Sequence, residues 1–373
     1  MRLDKVVVVD VSTPSGHPWG KNNLLFKKEA VGNARYLWHI CHLYEECLKG
    51  GIQLLTPDLY FSLRPQIKKA ILWRYTTMQT TAEALIRDGV HPAIFMNLEY
   101  PIHICDFYWN LEKLTAPYDY TLMPRGAQPF VSKKTKFRAL IAPQSYPRSS
   151  RVEHNFKNRK FLTMISGNHR INPLRRLYAT IANFIKPLPT LVNRETYLDR
   201  LEALCHFADN PGFDFYGNDW DKPVRFLWGP KKKRIQEAVS KTWRGSPADK
   251  FPVLQQYKFS ICFESCIFGG YITEKIIDSM LAGCVPVYWG APDVEEFIPP
   301  NCFIDFRKFS TKGGSAFSGK SYDELESFLN NIDEKTYDAY VDNINAFVAS
   351  DKFKPFTQEQ FAEDMIALFE PYF

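Results

Sequence analysis

A lysine stands near the start of a predicted helix, in the motif Tyr-Ile-Thr-Glu-Lys at 271–275, where a cation is not expected. The upstream run 259–264 is short, aromatic and β-branched, which predicts a buried strand that ends on a carboxylate. Downstream, apolar residues recur at helical spacing as far as Gly283, which predicts a helix with Thr273 at its N-cap. The N-terminus of a helix carries free N–H groups and partial positive charge. Lys275 in the first turn therefore indicates an anion beside it, such as a phosphate.

An arginine occupies the corresponding position after another strand-like run. Residues 161–166 predict a strand, Pro173 predicts the start of a helix, and Arg175 then falls in the first turn. A single cation of this kind is explained as well by solvation at the surface. Two of them, Arg175 and Lys275, at strand-to-helix junctions of one domain indicate a pyrophosphate pocket. Arginine binds phosphate oxygens through two parallel hydrogen bonds, and lysine acts as a point charge.

A carboxylate follows a third strand-like run. Glu99 comes just after residues 93–97 and two residues before Pro101. Ligands of doubly wound α/β domains bind beyond the carboxyl ends of the strands, so this position suits a side chain that faces a cleft. A solvated loop glutamate is the alternative that the position alone leaves open.

Three further patterns have ordinary structural explanations beside a functional one. Asp219 and Asp221 form the Asp-x-Asp pattern with which metal-dependent nucleotide-sugar transferases hold a divalent ion, and the same pattern occurs in many turns. The basic run 231–234 can bind polyanions or form a solvated helix face. The histidines and cysteines at 39–47 lie in a helix that packs inward, and they lack the paired spacing of a zinc site.

The composition is that of an ordinary globular protein. The chain has 373 residues, 45% hydrophobic and 24% charged, which is long enough for two domains with cores of their own. Its net charge of +6 suits an anionic ligand or a membrane surface, and it falls short of what a nucleic-acid-binding protein carries. No apolar run approaches the roughly 18 residues that span a bilayer. These features predict a cytoplasmic protein with free thiols, and they leave peripheral association with a membrane open.

Short strand-like runs alternate with helical ones, which predicts α/β domains built on doubly wound sheets. Residues 131–160 are rich in Lys, Arg, Pro and Ser and are the predicted linker. The chain is therefore divided into a first α/β domain at 1–150, a second at 151–350 and a C-terminal helix at 351–373. The Gly- and Ser-rich segment 310–321 is the predicted mobile loop.

Several of these segments together resemble the signature of glycosyltransferase family 10, the α-1,3/α-1,4-fucosyltransferases. In chain order they are residues 259–264, 271–275, Ala-Gly-Cys-Val-Pro-Val at 282–287, Phe-Ile-Pro at 297–299 and Phe-Ile-Asp at 303–305. The segment Asn-Leu-Glu-Tyr-Pro-Ile-His at 97–103 is similar to the N-terminal motif of that family. The resemblance is extensive over residues 155–310, local around Glu99 and faint elsewhere.

The resemblance implies an α/β fold of the GT-B type, with two Rossmann-like domains that face a central cleft. The first domain would bind the acceptor and the second the donor, GDP-fucose. L-Fucose would pass with inversion to a hydroxyl of an oligosaccharide or glycoconjugate acceptor, α-1,3 or α-1,4 to a GlcNAc- or Glc-type sugar. No metal or other cofactor would be required, a divalent ion would at most stimulate, and no nucleic acid is expected as a partner.

The resemblance also assigns roles to residues at matching positions. Glu99 matches the proposed general base of the family, and Arg175 matches its phosphate-binding arginine. The donor-binding residues that match are Tyr271, Glu274 and Lys275. Two residues at strand ends, Asn168 and Glu264, complete the predicted donor side.

The acceptor side is predicted from loops of the first domain. Tyr100 and His103 follow Glu99, and Trp19 lies in the polar loop 12–23, which is either an acceptor lip or an ordinary solvated loop.

The sequence departs from the family pattern at three places. Ser265 and Cys266 replace the Asn and Ser of the family's Phe-Glu-Asn-Ser, Gly270 replaces a common Asp, and Tyr100 replaces a Ser. These changes leave the sugar and the acceptor open more than the reaction class. Two alternatives also remain: a metal-dependent transferase of another nucleotide sugar that uses Asp219 and Asp221, and a non-enzymatic basic protein that binds polyanions through 231–234.

Overall fold

The computed structural model describes residues 2–11, 18–32, 34, 37–75, 81–99, 105–143, 151–169, 172–174, 177, 181, 195–224, 227–309 and 319–373, with the backbone alone at 105, 106, 319 and 320. Two compact units make up the chain. The first consists of Met1–Arg148 and Lys354–Phe373, and the second of Ser149–Phe353. Each unit has a parallel sheet and a hydrophobic core of its own.

The first unit is built on a sheet of six parallel strands. They are β1 (Val6–Asp10), β2 (Gln53–Leu55), β3 (Ala70–Arg74), β4 (His91–Met96), β5 (Tyr120–Met123) and β6 (Lys136–Ala139). Their order in the sheet is β2-β1-β3-β4-β5-β6. All five residues of β1 are buried, as expected of a parallel strand that is covered on both faces. The sequence of β1, four valines and an aspartate, therefore ends with an acidic residue at the carboxyl edge of the sheet.

Short helices connect these strands. They are α1 (Lys28–Val31), α2 (Trp38–Lys49), α3 (Pro57–Leu63), α4 (Ala82–Arg87), α5 (Cys105–Trp109) and α6 (Leu111–Thr115). Helix α2 buries Ile40, Leu43 and Cys47 in the core of the unit, together with apolar residues of β1 and β3. Burial raises the pKa of Cys47 to about 12, so its thiol behaves as a small apolar side chain there.

The second unit has five parallel strands. They are β7 (Lys160–Ile165), β8 (Phe213–Tyr216), β9 (Tyr257–Phe263), β10 (Val285–Trp289) and β11 (Ile304–Asp305), in the order β11-β10-β9-β7-β8. The central strand β9 pairs with β7 on one side and β10 on the other. Its carboxyl end therefore lies beside the ends of both neighbours.

The helices of the second unit follow the same alternation. They are α7 (Tyr197–Phe207), α8 (Gly229–Thr242), α9 (Phe251–Leu254), α10 (Glu274–Leu281), α11 (Gly319–Asn330) and α12 (Glu334–Ala349). Helix α10 leads from β9 into β10. Its residues Ile276 to Leu281 are all buried, and Gly283 just beyond it has a φ of +70°, the left-handed conformation that ends many helices.

The last helix, α13 (Gln358–Phe369), belongs to the first unit rather than the second. The Thr357 hydroxyl caps it by accepting a hydrogen bond from the Gln360 N–H at 3.2 Å. Its buried residues, among them Phe361 and Met365, lie in the same core cluster as β1, β3 and α2. The chain thus returns to its first sheet after completing the second.

Some elements differ from those expected. The sequence does not predict β3, β5 or β6, and β6 lies inside the segment 131–160 that was predicted to be a linker. That prediction is wrong in its first part, because Lys136–Ala139 pairs with β5 at the edge of the sheet. Three of its four side chains are exposed, so the strand has the polar composition of a loop.

Residues 310–318 of the predicted mobile loop lie outside the described ranges. None of the helices within those ranges has the length and apolar character needed to cross a membrane.

Candidate functional site

The carboxyl end of β9 places a fully buried carboxylate against the start of α10. Glu264 directly follows β9 and has no exposed surface. Its Oε1 atom accepts a hydrogen bond from the Thr273 N–H at 2.8 Å, and its Oε2 atom accepts one from the Thr273 hydroxyl at 2.7 Å. Thr273 occupies the N-cap position of α10, but its hydroxyl does not cap the helix as the sequence suggests. It binds Glu264 instead, which ties the loop before α10 to the strand.

Lys275 completes this network from the first turn of α10. Its Nζ atom donates to Glu264 Oε2 at 3.1 Å and to the Thr273 hydroxyl at 2.8 Å, and it lies 3.8 Å from Glu274 Oε1. Burial by itself would lower the pKa of Lys275, but the two carboxylates outweigh it and raise that pKa above its ordinary value. A cation can therefore lie at this helix N-terminus because the chain supplies the anion. The Lys275 side chain remains 23% exposed.

A second lysine holds the other carboxylates of α10. Lys250, just before α9, lies 3.3 Å from Glu274 Oε1 and 2.6 Å from Asp278 Oδ2. Burial opposes ionisation of Glu274, but Lys250 and Lys275 together hold its pKa well below the usual range. The Glu274 side chain is 38% exposed, so it presents an ionised hydrogen-bond acceptor at the surface of the site. Asp278 is almost completely buried, and burial raises its pKa to about 6 despite Lys250.

Arg200 of α7 joins the carboxyl ends of two strands. Its guanidinium donates to the Phe263 carbonyl at 2.8 Å, to the Ser265 hydroxyl at 3.2 Å and to the Ser166 hydroxyl at 3.4 Å. The side chain is buried and stacks on the ring of Tyr197, 5.1 Å from its centre. Sequence reasoning missed this residue, because its partners are 34 to 65 positions away along the chain. Ser265 stands where the family pattern has an asparagine, and its hydroxyl here binds Arg200.

In the first unit, Glu99 lies beyond the end of β4 and its backbone is held on both sides. The Asn97 Oδ1 atom accepts a hydrogen bond from the Glu99 N–H at 2.9 Å, and the Tyr108 hydroxyl donates to the Glu99 carbonyl at 3.0 Å. The side chain reaches the surface, yet the surrounding protein removes enough water to raise the pKa of Glu99 above its ordinary value. A carboxylate with a raised pKa is a better proton acceptor than a fully solvated one.

The comparisons with known proteins agree with this geometry. Residues 233–355 match the family model described as glycosyltransferase family 10 (fucosyltransferase), C-terminal part. The resemblance found in the sequence is thereby confirmed, and the whole network of Glu264, Thr273, Glu274, Lys275 and Asp278 lies within the segment that this family model matches.

Relatives and solved structures extend the likeness beyond the matched segment. The chain is 36% identical over 101 residues to the alpha-(1,3)-fucosyltransferase FucT of Helicobacter pylori, a stretch that covers 24% of this chain and 20% of that protein. It is 33% identical over 175 residues to the GDP-fucose protein O-fucosyltransferase 3 of Gallus gallus, which covers 46% of this chain and 31% of that protein. The similar stretches thus span about a fifth to a third of the length of these curated relatives.

A solved structure matches over the complete chain. The UDP-forming α,α-trehalose-phosphate synthase of Burkholderia xenovorans has a TM-score of 0.51 at 10% identity, and the alignment covers 100% of this chain and 99% of that one. Such a likeness shows the fold alone. Together with the two parallel sheets, it confirms the predicted α/β fold of the GT-B type.

The structure brings three of the predicted donor-side residues together and leaves others apart. Glu264, Glu274 and Lys275 form the network at the start of α10. Tyr271 lies just before it, half-buried, and its N–H donates to the Phe268 carbonyl at 3.0 Å.

The other predicted site residues do not join this network. Three of them lie outside the described residues, so their predicted roles stay predictions: Arg175, Tyr100 and His103. Trp19 is half-buried against the core of the first unit and its indole N–H donates to the Ala30 carbonyl at 3.2 Å.

Asn168 stabilises the turn that contains the Asp-x-Asp pattern. Its Nδ2 atom donates to the Asp219 carbonyl at 3.0 Å and to the Lys222 carbonyl at 3.3 Å. Asp219 has a φ of +65°, a left-handed turn conformation, and its carboxylate forms an ion pair with Lys222. In the part of the chain that the structure describes, no group of three or more His, Cys, Asp and Glu side chains is arranged to hold a metal ion. This geometry favours the turn over a metal ligand.

The basic run 231–234 lies on the exposed first half of α8. Lys231 binds Glu202 of α7 at 2.7 Å, and Arg234 lies 3.8 Å from the same carboxylate. Lys233 pairs with Glu237 one helical turn further at 3.9 Å. The run is therefore a solvated helix face with partners of its own, which weakens the polyanion-binding alternative.

Proposed function

We propose that the chain is an inverting fucosyltransferase that moves L-fucose from GDP-fucose to a hydroxyl of a glycan acceptor. The observation that carries this proposal is the network of Glu264, Thr273 and Lys275, which lies within the segment matched by the family 10 model. The network holds a partly exposed lysine side chain beside the backbone N–H groups of the first turn of α10. That combination suits the pyrophosphate of a nucleotide sugar.

The donor side would act mainly through electrostatics. Breaking the bond between fucose and GDP develops negative charge on the leaving phosphate. Lys275 and the N-terminus of α10 would stabilise that charge, with Arg175 as a second cation, and such stabilisation can contribute several kcal/mol. Glu264 fixes the Lys275 ammonium in place, and Glu274 would accept hydrogen bonds from donor hydroxyls. These cations would serve in place of a metal, so we propose that a divalent ion at most stimulates the reaction.

The acceptor side would supply the general base. Glu99 would take the proton of the acceptor hydroxyl as that oxygen attacks the fucose carbon from the face opposite the leaving phosphate, which inverts the configuration. Its raised pKa supports this role. We propose an α-1,3 or α-1,4 linkage to a GlcNAc- or Glc-type sugar. The Helicobacter pylori relative is named for the first of these linkages. A cytoplasmic location, with or without peripheral attachment to a membrane, stays a prediction that subcellular fractionation would test.

A donor screen tests the proposal directly. GDP-fucose, GDP-mannose and a set of UDP-sugars are compared by thermal shift and by donor hydrolysis without acceptor. GDP-fucose should stabilise the protein most and be the donor that is hydrolysed, and turnover should persist in excess EDTA. Preference for a UDP-sugar, or loss of activity that only a divalent ion restores, would instead favour the metal-dependent alternative.

A single substitution tests the assigned base. Glu99→Gln keeps the size of the side chain and removes the proton acceptor, so transfer should fall by about 10²–10⁴-fold while GDP affinity stays unchanged. The matched control is Glu112→Gln on α6, an exposed glutamate of the same unit. Wild-type turnover in Glu99→Gln would contradict the base assignment and leave the donor assignment standing.

A further inference from the structure

Three buried polar side chains lie at the carboxyl ends of neighbouring strands of the first unit. Asp10 ends β1, Arg74 ends β3 and Asn97 follows β4, and their exposed fractions are 3%, 9% and 3%. Asp10 is the register partner of Arg74, and Arg74 is the partner of Phe95, two residues before Asn97. Register partners and residues two apart point to the same side of a sheet, so these side chains share one face.

The hydrogen-bonding capacity of this cluster is only partly used. The Arg74 guanidinium lies 5.3 Å from the centre of the Phe95 ring, and within the described ranges it forms no ion pair and its Nε atom has no hydrogen-bond partner. In the same ranges the Asn97 Nδ2 atom is also without a partner. Buried donors are nearly always satisfied by protein, water or ligand. Two such donors on adjacent strands, at the edge where α/β sheets bind ligands, indicate a ligand that accepts hydrogen bonds.

The charges of the cluster limit what that ligand can be. Burial raises the pKa of Tyr118, whereas the charge of Arg74 and a hydrogen bond from Arg74 to the Tyr118 hydroxyl lower it. The opposite charges of Asp10 and Arg74 belong to register partners on adjacent strands. Together they sum to zero. A ligand anion attracted by Arg74 would be repelled by Asp10, and a cation would meet the reverse. A neutral hydroxyl group, which both donates and accepts, is compatible with the guanidinium, the amide and the carboxylate alike.

We propose that Asp10, Arg74 and Asn97 form the site at which this protein binds a neutral sugar ring of its acceptor through the hydroxyl groups of that ring. The inference rests on the proposed function, because Glu99 lies two residues beyond Asn97 and would act as base on the same ring. Asn97 connects the two roles: its Oδ1 atom holds the Glu99 N–H at 2.9 Å, and its Nδ2 atom is the donor left for the sugar.

Two substitutions separate sugar binding from donor chemistry. Arg74→Gln removes the charged donor and should raise the acceptor KM by about 10- to 100-fold, the effect of losing a charge-assisted hydrogen bond. Hydrolysis of GDP-fucose without acceptor should stay unchanged. Asn97→Asp keeps the oxygen that holds Glu99 and replaces the donor by an acceptor, so it should raise the acceptor KM. Arg87→Gln on α4, whose exposed Nε donates to the Glu83 carbonyl, is the matched control.

The probes are the β-methyl glycosides of glucose, N-acetylglucosamine and galactose, with lactose and N-acetyllactosamine. Saturation-transfer NMR with the same sugars measures binding without turnover, so it tests the site even if GDP-fucose proves not to be the donor. Loss of the NMR signal in Arg74→Gln, with native unfolding behaviour, would support the proposal. It is overturned if the wild type binds none of these sugars, or if Arg74→Gln binds them as well as the wild type does. Preference for a glucuronide or a sulfated sugar that Arg74→Gln abolishes would also overturn it, since the ligand would then be an anion.

Discussion

The two units place polar groups at the carboxyl ends of their strands in opposite ways. At the end of β9, Glu264 is fully buried and each of its carboxylate oxygens accepts a hydrogen bond from Thr273, with Lys275 close by. At the ends of β3 and β4, Arg74 and Asn97 are nearly as buried, and each keeps a donor without a partner among the described residues. The end of β9, with Glu264, Thr273 and Lys275, is thus a neutralised region, in which the chain itself supplies the partners. The ends of β3 and β4, with Arg74 and Asn97, are an open region, in which donors stay unused among the described residues.

The ligands proposed for the two regions would account for this difference. A pyrophosphate carries high charge, so the cation that binds it is best held in one place before the ligand arrives, and Glu264 would do this for Lys275. A neutral sugar carries no net charge and is recognised through hydrogen-bonding groups that the chain itself leaves unused. The end of β9 should therefore contribute much to stability, and the ends of β3 and β4 should contribute mainly to binding.

The largest effect is expected from breaking the neutralised region. Glu264→Gln replaces the fully buried carboxylate that binds Lys275 with a neutral amide, and we expect the free energy of unfolding to fall by about 3–5 kcal/mol, as when one partner of a buried ion pair is removed. Urea unfolding followed by tryptophan fluorescence measures it. The exposed Glu363→Gln on α13 serves as the control and should lie within about 0.5 kcal/mol of wild type.

Urea unfolding of two other variants tests the difference between the neutralised and the open region more closely. Glu264→Gln combined with Lys275→Met removes both charges and should recover much of the lost stability, because no uncompensated cation remains. Arg74→Gln removes a cation that forms no ion pair among the described residues, and it should change the free energy of unfolding less than Glu264→Gln does. If Arg74→Gln proved as destabilising as Glu264→Gln, the two regions would not differ in the way described.

Local sequence patterns predicted the neutralised region better than the open one. The strand at 259–264, the helix start at Thr273 and the odd position of Lys275 lie within 17 consecutive residues, so periodicity and helix polarity were enough to bring them together. The partner of Lys275 was not foreseen, since a buried carboxylate after a strand looks the same as an exposed one. Arg74 and Arg200 carry no local signal at all, because strand pairing and helix packing alone determine what surrounds them.

The fold shows the same limit. The strand predicted at 259–264 corresponds to β9, and the helix predicted between Thr273 and Gly283 corresponds to α10, because each is a strongly apolar or strongly periodic segment. Strand β6 has the polar composition of a linker because it lies at the edge of its sheet, and the return of α13 to the first unit depends on core contacts distant in sequence.

A pH effect is expected inside the neutralised region. Burial raises the pKa of Asp278 from 3.8 to about 6, so the folded chain holds a proton that the unfolded chain has lost between those values. Stability contributed by this group is therefore present below pH 4 and is lost as the pH rises through 6, by at most about 3 kcal/mol. Asp278→Asn removes the titration. The free energy of unfolding of the wild type, relative to this variant, should fall between pH 4 and 7, and parallel curves would refute the assignment.

The pKa of Glu99 and the pKa of Glu274 are shifted in opposite directions, and this difference should appear in the pH dependence of activity. Desolvation raises the pKa of Glu99, whereas Lys250 and Lys275 lower that of Glu274 against the effect of burial. A base must be ionised to act, so kcat/KM for the acceptor should fall as the pH decreases through the raised pKa of Glu99. Glu274 stays ionised over that range, so GDP affinity should stay constant. An acceptor profile that stays flat down to pH 4.5, the ordinary pKa of a glutamate, would remove Glu99 from the role of base.

The smallest expected effect tests how the open region positions Glu99, the proposed base. The Tyr108 hydroxyl donates to the Glu99 carbonyl at 3.0 Å, and the Tyr60 hydroxyl, equally buried in the same unit, donates to Asp88 at 2.6 Å. Tyr108→Phe and Tyr60→Phe should each cost about 0.5–1.5 kcal/mol of stability, the usual contribution of one hydrogen bond. Only Tyr108→Phe should also lower kcat, by about 2- to 10-fold, because Glu99 then loses one of the two bonds that orient it. An equal decrease in kcat for both variants would mean that activity follows the stability of the unit, and that the backbone of Glu99 needs no fixed position for proton transfer.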